Sequence, residues 1–473
     1  MKVEMSNYLN SVKPSVRKLM RILLKDFKYV SILGTDSLGK QYVVQKTGIS
    51  IQDSFWNERG FVVRLHNGIN YSEYSFNQLN ADEVEKLAEE IKNKVNLQLN
   101  KTKETLNIPQ YKIIEEEKAQ LEFIGEVLKT NISDKDIIEK MVNLKDKAFK
   151  ISDKLVDCRI RLQKMHISKI FLSENKDLAQ TYVWSEGSIF AIARKESDTK
   201  FNYKGVSGLK GAELLEEIDD KIEDTVKMAV KLLDAKPVIP GEYEVICNPS
   251  VSGIIAHEAF GHGVEMDMFV KNRAKAAEYI NKEVASKLVT MHDGAAAAKQ
   301  VSSYLFDDEG VIGKDTVVID QGILKSGISD AISALKLNSS PTGNGKRQSY
   351  ERKAYTRMTN TYFSEGNDEF SDMIESIKEG YLLGCPMSGM EDPKNWGIQC
   401  MVNYGLEIKD GKLTGNIVSP VVLTGYVPDL LKSISMVSKV VELEGTGACG
   451  KGYKEFVKVS SGGPYIKAKV RLG

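Results

Sequence analysis

The chain has 473 residues, 42% of them hydrophobic and 27% charged, and its 65 basic residues balance its 65 acidic ones. The length predicts two or three domains, and the ordinary composition excludes a wholly disordered, collagen-like or coiled-coil chain. Zero net charge argues against direct binding to nucleic acid or to an anionic membrane, and without an apolar run of about 18 residues we expect no membrane-spanning helix. The charged N-terminus lacks the apolar core of a signal peptide, and five scattered cysteines fit a reducing, cytoplasmic location.

The N-terminal half has the pattern of a mixed α/β domain. Strand-like segments over 27–77 are followed by a helix-capping pattern and then by a charge-rich helical periodicity, which predicts a helical segment over about 80–155. Apolar and polar residues alternate again over 156–210, as strands require. A last amphipathic helix is predicted over about 212–234.

A segment with two prolines and a glycine, 237–241, is the best candidate for a domain boundary. We therefore expect an N-terminal mixed α/β domain over 1–236 and a C-terminal domain over 237–473. The second half is rich in glycine and strand-like, so it predicts much antiparallel β-structure. The expected class is α+β with two lobes.

Two of the five histidines, His257 and His262, lie in the sequence His-Glu-Ala-Phe-Gly-His. A straight α-helix would leave side chains five residues apart about 140° from each other, which is too far to chelate one ion. A π-type turn would bring both imidazoles to one face, and Gly261 lowers the steric cost of such a distortion. The sequence therefore predicts a distorted HExxxH helix and a metal site. Glu258 would act there as general base on a water activated by zinc.

A catalytic zinc site usually needs a third protein ligand and one open position. Four residues are candidates for this third ligand: His292, Glu265, Asp267 and Cys449. Cys449 lies in a glycine-rich loop that could present a thiolate at close quarters. Spacing along the chain does not choose among the four.

The motif at 257–263 resembles the signature of the TldD/PmbA family of zinc metalloproteases, once labelled modulators of DNA gyrase. Further blocks resemble the family in the same order, and the strong motifs cover 250–465. The stretch at 385–390 departs from the family pattern, and this departure bears on channel shape, partner choice and substrate range more than on the chemistry. The matching blocks are Asp307-Asp308-Glu309-Gly310, Pro341-Thr342-Gly343-Asn344-Gly345-Lys346-Arg347, Arg357-Met358-Thr359-Asn360-Thr361-Tyr362, Ile434-Ser435-Met436-Val437, Cys449-Gly450-Lys451 and Gly463-Pro464.

The resemblance implies an active subunit of the TldD-like kind, because the PmbA/TldE-like kind lacks HExxxH. It implies His257, His262 and Cys449 as zinc ligands and Glu258 as the base. It also implies a two-lobed α+β protein that forms a homodimer, or a heterodimer with a PmbA/TldE-like subunit. The enclosed channel of such a dimer would admit only unfolded, extended peptide. The alternative function is a metal-stabilised protein that binds a partner without proteolysis.

Four further residues are candidates for supporting roles at this site. Arg357 and Asn360 would either line the channel and orient the ligands or form a buried structural turn. Lys451 or Tyr453 could help the zinc to stabilise the oxyanion of the reaction.

Overall fold

The computed structural model describes residues 1–105, 110–128, 132–453 and 455–473. It is α+β, with 25% helix and 42% strand, which confirms the expected fold class. The α-helices in the described ranges are α1 (Asn7–Leu23), α2 (Val84–Thr105), α3 (Asp134–Phe149), α4 (Leu215–Asp219), α5 (Ile222–Lys231), α6 (Pro249–Ile255), α7 (Met266–Val270), α8 (Ala331–Lys336), α9 (Phe370–Glu375) and α10 (Val427–Lys432).

The strands of the N-terminal half are β1 (Tyr29–Gln45), β2 (Gly48–Asp53), β3 (Glu58–His66), β4 (Tyr71–Phe76), β5 (Ala119–Ile124), β6 (Leu155–Ser173), β7 (Lys176–Lys195) and β8 (Asp198–Gly208). They form one sheet in the order β4-β3-β1-β6-β7-β5, with β2 beside β1 and β8 beside β7. Helices α1 and α2 pack their apolar faces on this sheet in one core, and α3 and α5 do so in a second core.

Two elements of the N-terminal half differ from the sequence prediction. The segment expected to be helical over 80–155 contains the strand β5, which pairs in parallel with β7. Most of β5 is exposed, so the strand lacks the alternation of buried apolar residues that would have revealed it. The helix expected over 212–234 is two helices, α4 and α5, separated at 220–221. Residues 106–109 and 129–131 of the expected helical segment lie outside the described residues.

The strands of the C-terminal half are β9 (Gly241–Cys247), β10 (Met291–Asp293), β11 (Thr316–Asp320), β12 (Ile323–Leu324), β13 (Gly345–Lys346), β14 (Tyr355–Thr356), β15 (Asn360–Phe363), β16 (Glu379–Asp392), β17 (Gly397–Lys409), β18 (Lys412–Val418), β19 (Val421–Tyr426), β20 (Met436–Val437), β21 (Glu442–Glu444), β22 (Ala448–Lys451), β23 (Glu455–Lys458), β24 (Ser460–Gly463) and β25 (Ile466–Leu472). Strands β16, β9, β25, β19 and β17 pair in this order, and β17 pairs again with β16, which closes a five-stranded barrel. A separate six-stranded sheet contains β10, β15 and β24. Helix α6 packs with the barrel strands in the largest apolar core.

The named strands pair only within β1–β8 or within β9–β25, on either side of the segment 237–241. The domain bounds 1–236 and 237–473 stay a prediction. The two halves are joined by buried ion pairs from the Asp-Asp-Glu-Gly loop, in which Asp308 contacts Lys169 and Glu309 contacts Arg64. Within the described ranges, the helices are too short or too polar to span a membrane.

Candidate metal centre

The two histidines of the motif are carried by one irregular helical segment. The Asn248 side chain caps α6 by accepting a hydrogen bond from the backbone N–H of Val251 at 2.9 Å. After α6 the chain forms a π-helical turn over Ala256–Gly261 and then one 3₁₀ turn over His262–Val264. The wider turn brings the rings of His257 and His262 to a centroid distance of 5.1 Å.

Cys449 completes a cluster of three possible metal ligands. One donor atom each from His257, His262 and Cys449 all lie within 4.8 Å of one another, and the Cys449 Sγ lies 3.4 Å from the His262 Nε2. Cys449 comes from β22, which forms a hairpin with β23. A thiolate and two imidazoles are a donor set that suits zinc, and three protein ligands leave one position open.

The electrostatics of this cluster favour an ionised thiol. Burial alone would raise the pKa of Cys449, but the nearby His257 and His262 imidazoles lower it to about 4. A thiolate, and not a thiol, is the form that binds a metal ion. The cluster therefore combines the geometry of a metal site with a thiol that ionises readily.

A chain of buried charges orients His262. Its Nδ1 lies 3.2 Å from a carboxylate oxygen of Glu265, so its Nε2 is the nitrogen that faces Cys449. The Lys451 ammonium donates to Glu265 at 2.9 Å and to Asp267 at 2.6 Å. Burial alone would raise the pKa of Glu265, but Lys451 and His262 hold it well below its usual range. Carboxylate–histidine pairs of this kind fix the tautomer and the orientation of a metal ligand.

Glu258 lies beside the donor cluster and not within it. Its Oε2 is 4.0 Å from the Nε2 of His262, and its side chain is 17% exposed. A carboxylate at this distance from a metal ligand can reach a water or a substrate atom held at the open position.

The other predicted residues fall into two groups. Arg357 is buried and donates to the backbone carbonyls of Cys449 and Glu455, so it supports both strands of the hairpin that carries Cys449. Lys451 acts on the cluster through Glu265, as described above. Tyr453 is 96% exposed, so the structure leaves its side chain in solvent.

Asn360 and His292 lie away from the cluster. Asn360 donates to the carbonyl of Gly294 at 2.8 Å and accepts from Ser460 at 2.6 Å, which ties β15 to β24. His292 pairs with Asp315 at 2.7 Å. Of the four candidates that spacing left open, the structure brings only Cys449 into the donor cluster among the described residues.

Sequence reasoning missed one neighbour of the site. The strand β16 passes beside the π-helical turn, and its Gly389 lies against the Glu258 side chain. Two residues later, a carboxylate oxygen of Glu391 accepts a hydrogen bond from the backbone N–H of Gly263 at 3.0 Å. Both residues lie in or next to the stretch that departs from the family pattern. No local pattern marked them, because their position depends on the closure of the barrel.

Comparison with known proteins shows that the chain is similar to metallopeptidases. A family profile described as the PmbA/TldA metallopeptidase C-terminal domain matches residues 240–471. A metalloprotease of Methanothermobacter thermautotrophicus is 31% identical over 324 residues, which is 67% of this chain and 69% of that protein. The chain belongs to the TldD/PmbA family. A protein named zinc metalloprotease TldD homolog, from Saccharolobus solfataricus, is 30% identical over 63% of this chain and 67% of its own length.

Solved structures of the family share the fold over nearly the whole chain. TldE from Thermococcus kodakarensis has a TM-score of 0.75 at 18% identity, covering 97% of this chain and 100% of its own. A Thermotoga maritima protein described as a modulator of a DNA gyrase has a TM-score of 0.77 at 17% identity, with 98% and 100% covered. At these identities the likeness shows the fold alone.

Proposed function

We propose that this protein is a zinc-dependent peptidase that cleaves unfolded or extended peptides. The observation that carries the proposal is the convergence of His257, His262 and Cys449 within 4.8 Å, with the Glu258 carboxylate 4.0 Å from His262. A cluster of two imidazoles and one thiolate with a free carboxylate beside it is the arrangement that hydrolytic zinc sites use.

His257, His262 and Cys449 would hold the zinc. When bound, zinc supplies a Lewis acid that polarises the peptide carbonyl and lowers the pKa of a water. The Glu258 carboxylate takes a proton from the attacking water and delivers it to the nitrogen of the leaving amine. Glu265 keeps the proton of His262 on Nδ1, so that Nε2 remains available as a ligand atom.

The site is recessed below the protein surface, which favours an extended peptide over a folded protein as the substrate. The side chains of His262 and Glu258 are 21% and 17% exposed, and Cys449 is buried, so the rigid surface of a folded protein would not reach them. In the described part of the chain, β16 pairs with β9 only over Gly380–Leu383 and beyond that only with β17. An extended peptide could add to this strand by main-chain hydrogen bonds, which would give low sequence specificity.

We also propose that the protein works as a dimer, either with a second copy or with a PmbA/TldE-like subunit. The similarity of its fold to that of TldE supports a partner of related shape. A dimer would enclose the recessed site further and would exclude folded proteins more strictly.

The test is zinc-supplemented digestion of an unfolded protein mixture, read by mass spectrometry. Glu258→Gln is the matched control, because it removes the base while it keeps the shape of the side chain. We expect fragments from the wild type, a rate lower by about 10²–10⁴-fold in the variant, and equal zinc content in both. Full activity of Glu258→Gln would refute the base assignment.

A digestion without fragments from the wild type would be repeated with a PmbA/TldE-like subunit present. Cleavage that appears only then would show that the partner is required. If both zinc-loaded mixtures remain uncut, the peptidase proposal is wrong, and a partner-binding role without proteolysis takes its place.

A further inference from the structure

We propose that Gly389 is a positioning residue for the general base, because only a residue without a side chain there leaves the Glu258 carboxylate in place beside the metal ligands. This inference rests on the proposed function, in which Glu258 takes the proton of the attacking water. It deepens that function by assigning a second role to β16, the strand proposed above to bind the peptide.

The contact is too close to admit a methyl group. A Cβ built on Gly389 would lie 2.3 Å from the Cγ, 3.0 Å from the Cβ and 3.1 Å from the Cδ of Glu258. Carbon atoms that are not bonded make their best contacts at about 3.5–4.0 Å. Because the clash involves the Cγ and the Cβ and not the carboxylate end alone, rotation of the carboxylate would not relieve it. Glu258 would have to leave its χ1 rotamer, which would carry the carboxylate away from His262.

The backbone of Gly389 does not itself require glycine. Its φ lies outside the left-handed region, so an alanine would fit its conformation. It sits in a regular antiparallel pair opposite Cys400 of β17. A side chain at position 389 would therefore clash with Glu258 without straining the backbone of the strand.

The surroundings leave the strand β16 little room to move away from Glu258. Cys400, opposite Gly389, is fully buried. On the same strand, Glu391 accepts a hydrogen bond from the backbone N–H of Gly263, which fixes the strand to the helical segment just past His262. A Cβ at Gly263 would lie only 2.6 Å from Glu391, so the two elements are in tight contact there as well. The strand cannot move back without breaking these contacts.

The experiment compares Gly389→Ala with Gly425→Ala. Gly425 lies in β19 of the same barrel, and no atom lies within 4 Å of a Cβ built there. We expect kcat of the zinc-loaded Gly389→Ala protein to fall by about 100-fold or more, as removal of a general base does, with KM and zinc stoichiometry close to those of the wild type. Gly425→Ala should leave kcat, KM and zinc content unchanged.

A crystal structure of Gly389→Ala supplies a readout that does not depend on activity. We expect the Glu258 side chain in a different χ1 rotamer, with His257, His262 and Cys449 in place. An unmoved Glu258, an unchanged kcat, or a loss of zinc in parallel with activity would each overturn the inference. A wild type that stays inactive even with a PmbA/TldE-like subunit present would instead refute the proposed function, while the rotamer of Glu258 still tests the contact.

A second variant covers the case in which Gly389→Ala folds poorly. Glu258→Ala removes the Cγ and Cδ that the new methyl group would meet. Only the contact with the Cβ at 3.0 Å remains, so Gly389→Ala should lower Tm much less in the Glu258→Ala background than in the wild type. If the double variant is as unstable as Gly389→Ala, the clash is with another part of the barrel, and the inference is wrong.

Discussion

Glu265 offers the sharpest test of how the protein prepares its metal site. Its carboxylate lies 3.2 Å from the Nδ1 of His262 and accepts from Lys451 at 2.9 Å, entirely within the interior. Glu265→Gln keeps the size of the side chain but removes the charge that faces the imidazole. We expect the variant to fold and to bind zinc more weakly, because nothing then fixes the proton of His262 on Nδ1 as firmly.

The expected loss of zinc affinity follows from the contact between Glu265 and His262. Removing a carboxylate that orients a metal-binding histidine lowers metal affinity by about 10–100-fold, or roughly 1.4–2.7 kcal/mol. The pKa of Glu265 lies well below its usual range, so its carboxylate is ionised at every pH at which the protein would be studied. Burial alone would lower the pKa of His262, but Cys449 and Glu265 raise it well above its usual range, and zinc must displace the His262 proton. Because Glu265→Gln lowers the pKa of His262, the loss of affinity should be smaller at about pH 6 than at about pH 8.

Asp267→Asn is the matched control. Asp267 binds the same Lys451 ammonium at 2.6 Å, and its contacts are with Lys451 and Lys271, not with His262. Both variants remove one buried negative charge, and only Glu265→Gln removes the contact with His262. Zinc affinity is measured by competition with a chromophoric chelator. Equal zinc affinities of the two variants would refute the reasoning. The negative charge near Lys451, and not the contact with His262, would then determine the affinity for zinc.

Two further predictions concern other titratable groups. In zinc-free protein, a small alkylating reagent should modify Cys449 before the other four cysteines, because the pKa of Cys449 is about 4 while burial raises the pKa of the others. Bound zinc should protect Cys449 from the reagent. Modification at the same rate with and without zinc would argue against Cys449 as a ligand. Burial raises the pKa of Glu58 from 4.5 to about 7, so its stabilising contribution is complete below about pH 4.5 and is lost as the pH rises through 7. Over this pH range, the free energy of unfolding of the wild type should fall by up to about 3 kcal/mol more than that of Glu58→Gln, which a comparison of their Tm values measures. Parallel curves of Tm against pH for the two proteins would contradict the raised pKa of Glu58.

The local geometry of the segment that carries the two histidines could be predicted from the sequence. The five-residue spacing of His257 and His262 required a wider turn than an α-helix, and the structure has a π-helical turn there. Such a spacing constrains side chains on a single helical segment, so it needs no knowledge of the fold. The ordered blocks that resemble the TldD/PmbA family predicted the family itself, which the comparisons confirm. The strand β5 escaped prediction because an exposed edge strand has no buried face to create a pattern.

What only the tertiary structure decided is the meeting of residues that are distant in sequence. The residues alone left His292, Glu265, Asp267 and Cys449 open, and the packing of the β22–β23 hairpin against the π-helical turn brings the Cys449 Sγ to 3.4 Å from His262 across 187 residues of chain. The closed barrel likewise places Gly389 against Glu258. Periodicity and spacing report only on neighbours within one element. Contacts between elements depend on how the sheets close and pack, which no local pattern encodes.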